Sequence, residues 1–207
     1  MRADPAASGH RRTDREGRDR TFTEGAWAER IDHAVTLHLL KVWRRHPGLN
    51  AAMAVVARVT PVVMLSLMVL ASFGWPPGVP GTRAASCGVG GVVAAVVARA
   101  INEPISRWVN RPRPFETAGF APLVGHAGGQ AFPSNHATGA LALAVSFVHV
   151  PVYGPILLGL AVLLCISRVY CGLHHLTDVA GGALHGALAG AVAAWWQDAG
   201  GTLELFG

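Results

Sequence analysis

Three short runs in this chain hold residue types that could do chemistry together. The first is Arg111-Pro112-Arg113-Pro114-Phe115. The second is Phe132-Pro133-Ser134-Asn135-His136. The third holds Ser167-Arg168, then His174, then Asp178. Arginine offers a planar fork of N–H donors suited to phosphate oxygens, so Arg113, Arg168 and Arg111 can give charge-assisted, forked hydrogen bonds to such an anion. Ser134 stands just before a helical pattern, where its hydroxyl and the neighbouring backbone N–H groups can face the same anion. Phosphoryl transfer is mostly positioning and charge neutralisation, which is what this set could supply. The chain has no obvious carboxylate cage for Mg²⁺, so no metal and no other cofactor is expected.

The elements that must position these runs are apolar. Hydrophobic residues make up 51% of the 207 residues, and charged ones 14% against roughly 25% in soluble domains, which points to a membrane protein. Five apolar segments run approximately over Ala51–Phe73, Ala84–Ala100, Ala137–Val152, Pro155–Cys171 and Val179–Trp196. Their lengths approach the roughly 17–25 residues that cross a bilayer. Pro- and Gly-rich turns punctuate them. Segment two ends, three begins, four ends and five begins on one face, so chain parity alone gathers the three runs. Before them, Ile31, Val35, Leu39 and Val42 recur at helical spacing within Ala26–Arg45. Asp32, His33, His38 and Lys41 make that stretch too polar for a span, so it reads as an amphipathic helix at the interface. The first 24 residues are polar, arginine-rich and without an apolar h-region; they read as a disordered basic tail, not a signal peptide. Residues 25–207 then form one domain. The net charge of +5 sits in the tail and flanking apolar segments, a placement that fits membrane surface and phosphate better than nucleic acid. Cys87, Cys165 and Cys171 lie in or at the ends of apolar segments and read as buried thiols. Gly182, Gly186 and Gly190 fall on one helix face, where a neighbour can pack closely.

The ordered runs resemble the type 2 phosphatidic acid phosphatase (PAP2) superfamily. Ser167-Arg168-x5-His174-x3-Asp178 is similar to its third motif at every fixed position, and Pro133-Ser134-Asn135-His136 to its second. Arg113-Pro114-Phe115 resembles the end of its first motif, with Arg111-Pro112 as a second register. The first motif's lysine is missing: that position is Ser106 counted from Arg113, or Pro104 counted from Arg111. Arg107, one turn before Arg111, is the expected substitute. The resemblance covers roughly residues 102–190. Ile101-Asn102, the RPF end, Leu123–His126 and Phe132–Ala142 further resemble the bacitracin-resistance branch of undecaprenyl-diphosphate phosphatases.

That resemblance implies an all-helical membrane bundle of about five transmembrane helices plus the amphipathic helix, in the PAP2 and vanadium haloperoxidase-like fold. It implies a covalent phosphohistidine, with His174 as nucleophile, Asp178 orienting its imidazole and His136 protonating the leaving oxygen. Arg113, Arg111, Arg168, Ser134, Asn135 and Arg107 would bind the phosphate. The implied substrate is a polyprenyl diphosphate, with phosphatidylglycerophosphate or phosphatidate as alternatives; the partners are this lipid phosphate and membrane lipids. A vanadate-binding haloperoxidase and a degenerate protein without activity are rival readings. His33, His185 and His175 read as structural. His126 could touch a headgroup or simply sit in a surface loop. Arg58 and Arg99 can snorkel to headgroups, and Arg99 could pair with Glu103 four residues on. Trp195 and Trp196 read as interfacial anchors. The positive-inside rule places the catalytic face in the cytoplasm, because it shares a side with the basic tail. The resemblance places it outside, in the cell membrane of a bacterium, and we adopt that expectation. Oligomeric state is not legible.

Overall fold

Apolar runs broken by Pro and Gly become seven helices over residues 27–201, the part of the chain that the computed structural model describes. They are α1 (Trp27–Arg45), α2 (Pro47–Ser72), α3 (Gly81–Val109), α4 (Pro114–Ala118), α5 (Asn135–Ser146), α6 (Tyr153–Tyr170) and α7 (Leu176–Asp198). The expected basic tail lies outside the described residues.

Four of these, α2, α3, α6 and α7, are long and apolar enough to cross a membrane. The fifth expected span is shorter than its apolar run. Helix α5 has 12 residues and stops at Ser146, so it rises about 18 Å where the hydrocarbon core is about 30 Å. The apolar residues after it, to Val152, form turns. Helix α5 is the centre of the bundle: it packs against α3, α6 and α7, while α2 packs on α6 and α3. Around that centre, α3 exposes Val92, Val93, Val96 and Val97, and α7 exposes Leu184, Leu188 and Val192. Apolar stripes of this kind on intact helices are what lipid contact demands, since every backbone group is satisfied within the helix.

In lipid, burying Phe147 or Leu157 gains little from leaving water, so close packing and interhelical hydrogen bonds must hold the bundle. Both are present around the start of α5. The Asn102 side chain, fully buried on α3, donates to Asn135 Oδ1 (2.8 Å) and to Thr138 Oγ1 (2.9 Å) on α5. His185 Nδ1 on α7 lies 2.7 Å from Asn102 Oδ1, so three helices meet at one amide. Such contacts are worth about 0.6–2 kcal/mol each. The glycine face of α7 then lets α5 approach to backbone contact. A Cβ at Gly186 would stand 2.1 Å from the Thr138 carbonyl oxygen, and one at Gly182 would stand 2.5 Å from that of Ser134. Gly186→Ala should therefore cost about 3 kcal/mol, because backbone cannot yield as a side-chain end does. Thermal unfolding in detergent reads this as a lowered Tm, whereas Gly139→Ala, with open space at its Cβ, should leave Tm in place.

The ends of these helices shape the site. Asn110 ends α3 in the left-handed region (φ 44°), its N–H donating to the Ser106 carbonyl at 2.8 Å. Asparagine tolerates that conformation better than most residues, and the chain turns there into Arg111–Arg113. Pro114 then starts α4, and Glu116 accepts from the Arg113 backbone N–H at 2.9 Å.

Candidate active site

The loops at one end of the bundle bring together Arg113, Arg168, His174 and His136. Arg113 lies between α3 and α4, Arg168 in the last turn of α6, His174 before α7, and His136 in the first turn of α5. Arg113 is 7% exposed and Arg168 4%. Neither forms an ion pair among the described residues, and the Nε of each is buried without a hydrogen-bond partner. Buried guanidiniums are rare unless paired, because desolvating a charge is expensive. Two of them near one another, with no carboxylate in ion-pair contact among the described residues, form a site prepared for an anion.

His174 is aimed at that site. Its Nδ1 lies 2.9 Å from the Ala131 carbonyl oxygen, and its Nε2 lies 3.2 Å from a terminal nitrogen of Arg113. A carbonyl only accepts, so Nδ1 carries the proton and Nε2 keeps the lone pair. Burial, then the charges of Arg113 and Arg168, hold the imidazole pKa well below its ordinary 6.5. The ring is therefore neutral, with a lone pair on Nε2. Arg113 is itself braced, donating to the carbonyls of Leu173 (2.8 Å) and Gln130 (3.2 Å).

Asp178 does not touch His174 as expected. Four-residue spacing brings two side chains together only when both lie on one helix, and α7 begins at Leu176, after His174. Asp178 is in the first turn of α7, where one carboxylate oxygen accepts from the His175 backbone N–H at 2.7 Å. Its other oxygen takes Arg111 at 2.6 Å. Arg111 is thereby withdrawn from the expected phosphate set, since its second arm binds Asp32 of α1 at 2.7 Å. Arg107, the expected lysine substitute, is also elsewhere: its side chain is 73% exposed and pairs with Glu103 at 2.9 Å. That pairing replaces the one expected between Glu103 and Arg99. Ser106, at the missing lysine's position, is buried and donates to the Phe132 carbonyl at 2.9 Å. Ser134 is fully buried and caps α5, its oxygen 3.5 Å from the Ala137 N–H, while Asn135 accepts from Asn102. Both set the position of His136 through its helix. His126, in the loop above, lies close enough to feel both guanidiniums: burial, then Arg113 and Arg168, lower its pKa.

Asp32 was read from sequence only as a polar residue unsuited to a span. It is 1% exposed and accepts from the Thr177 backbone N–H (3.1 Å), the Thr177 hydroxyl and Arg111. The available signal was its register: Thr36, Leu39, Leu40 and Trp43, which share its face at helical spacing, are all half-buried. Burial alone would raise its pKa, but the bonds from Thr177 and Arg111 outweigh this and hold it below 3.8. The stabilisation is present above the unfolded value and is lost as pH falls through the lower folded one. Asp32→Ala should cost about 3 kcal/mol, by stranding one arm of Arg111 and the Thr177 N–H. Chemical denaturation in detergent measures this, and Asp32→Asn should recover part of it.

The chain belongs to the PAP2 superfamily, which it matches over residues 88–201. It is similar to Phosphatidylglycerophosphatase B of Bacillus subtilis (strain 168), 40% identical over 96 residues, covering 41% of this chain and 45% of that protein. It is also similar to Undecaprenyl-diphosphatase BcrC of the same organism, 32% identical over 91 residues, covering 43% and 47%. The matched stretch thus spans less than half the length of each relative. Among solved structures, the fold matches a transmembrane PAP2 type phosphatidylglycerolphosphate phosphatase from Bacillus subtilis, with TM-score 0.64 and 23% identity over 89% of this chain and 91% of that one. Aquifex aeolicus LpxE matches with TM-score 0.62 and 20% identity over 83% and 97%. At those identities the two structures establish the fold.

Proposed function

We propose that this chain is a membrane lipid phosphatase that hydrolyses a polyprenyl diphosphate to the monophosphate and inorganic phosphate through a phosphohistidine. The observation that carries the reading is the pair of buried, carboxylate-free guanidiniums around the lone pair of His174. A terminal phosphate held by Arg113 and Arg168 would have two of its oxygens neutralised, and His174 Nε2 would attack phosphorus. Burial, then the charges of Arg168 and Arg99, lower the His136 pKa to about 4, so His136 would take up a proton as the anionic phosphate binds beside it. It would give that proton to the leaving oxygen, then take one from the water that hydrolyses the phosphohistidine. Ala131, through its carbonyl, holds the nucleophile's tautomer. Asp178 acts indirectly, by fixing the start of α7 and the position of Arg111.

Phosphatidylglycerophosphate is the second reading, supported by the 40% identity over 96 residues to a phosphatidylglycerophosphatase. The motifs grip the phosphate alone and favour neither lipid. The deciding experiment is phosphate release from undecaprenyl diphosphate, phosphatidylglycerophosphate and phosphatidate in detergent with EDTA. Faster turnover of the polyprenyl lipid supports the proposal; faster turnover of either glycerolipid overturns the substrate and keeps the chemistry. We place the active site on the outer face of a bacterial cell membrane. An Ala127→Cys protein should then react with an impermeant maleimide added to whole cells, and protection from the reagent would place the site inside.

A further inference from the structure

Arg99 is a charged residue in an apolar run that the reaction above does not use. Its expected partner, Glu103, is taken by Arg107, and Arg99 forms no ion pair among the described residues. Its place is well defined. It lies one turn before Asn102, whose side chain fixes α3 against Asn135 and Thr138 at the start of α5. Between α2, α3, α5 and α6 lies a cavity of about 160 Å³ with Arg99 and His136 both in its wall. Its other surfaces are largely apolar, among them Pro61, Leu65 and Leu143.

This cavity adjoins the group assigned to the leaving oxygen. In phosphoryl transfer the attacking and leaving atoms lie roughly in line through phosphorus. The leaving group must therefore extend past His136, away from His174. A leaving group that enters the cavity meets apolar walls fit for a hydrocarbon chain, and one guanidinium. A forked cation there matches an anion carried by the leaving group itself.

We propose that Arg99 binds the anionic group that stays with the lipid product, forming with His136 a subsite for leaving groups that carry a phosphate or phosphodiester of their own. The inference rests on the assignment of His136 to the leaving oxygen. Polyprenyl monophosphate and phosphatidylglycerol both carry such a charge close to the scissile bond; the diacylglycerol released from phosphatidate carries none.

The test compares kcat/KM for polyprenyl diphosphate, phosphatidylglycerophosphate and phosphatidate in the wild type, Arg99→Gln and Arg99→Lys. Arg99→Gln should lower the ratio of an anionic-leaving-group substrate to phosphatidate by about tenfold, the scale of one charged hydrogen bond. Arg99→Lys should retain most of it. A drop confined to one of the two anionic leaving groups also supports the subsite and names its source. Equal losses on all three lipids, or no loss on any, overturn it. The wild-type preference between the first two lipids is read separately. A preference for phosphatidylglycerophosphate therefore overturns the polyprenyl substrate while leaving the Arg99 subsite standing.

Discussion

His174→Gln should lower phosphate release by roughly three to six orders of magnitude, the range seen when a covalent nucleophile is removed. Glutamine keeps polarity and much of the volume at this buried position, so the protein should unfold at a similar temperature. Arg113 and Arg168 remain, so KM should change far less than kcat. The wild-type pH profile should carry the same signature. Protonated imidazole cannot attack, and burial with two flanking guanidiniums lowers the His174 pKa. Activity should therefore persist below pH 6.5 before its acid limb falls. Release that survives the substitution would remove His174 from the nucleophile's role.

Arg168→Gln should reduce kcat/KM by about 10²–10³-fold, as for loss of one preorganised donor to developing charge. Inhibition by vanadate, which mimics the phosphoryl group, should weaken with it. The opposite sign is expected for stability. Arg168 is a buried cation with no carboxylate partner among the described residues, and it feels the charge of Arg113. Removing it relieves desolvation and repulsion, so Tm should rise as activity falls. A lowered Tm would mark Arg168 as a support of the fold. Arg107→Gln is the contrast: its exposed pair with Glu103 should matter little to either measurement.

How much of this was legible in the sequence depends on which physical signal each residue carries. The long helices were, because apolar length is a local property, and so was the glycine face of α7, because four-residue spacing maps onto a helix. The gathering of Arg113, Arg168, His136 and His174 followed from parity and motif order. Partnerships were not legible. Arg111 and Arg113 are chemically alike and two residues apart, yet Asp32, from a helix about 80 positions earlier, pairs with the first, while the second has no carboxylate partner among the described residues. The supposed pairing of His174 with Asp178 failed because sequence spacing did not show where α7 begins. The orienting group of His174 is a backbone carbonyl at Ala131, which every residue possesses and no side-chain pattern can announce. Helix α5 was overlong in the sequence reading because the apolar residues after Ser146 line turns as readily as they extend a helix.

In the proposed reaction, the Ala131 carbonyl would also decide the regiochemistry of the intermediate. Imidazole offers two nitrogens to phosphorus, and they yield distinct isomers. With Nδ1 occupied by its hydrogen bond to backbone, the phosphoramidate would form on the far nitrogen, as the τ isomer and not the π. Only Nε2 keeps a lone pair pointed at the guanidiniums, so the choice is made by the main chain before substrate arrives. Rotation of the ring to present Nδ1 would leave Ala131 without its donor and turn the lone pair away from the bound anion. A single alanine, through its peptide oxygen, would thus fix which of two chemically similar atoms carries the phosphoryl group.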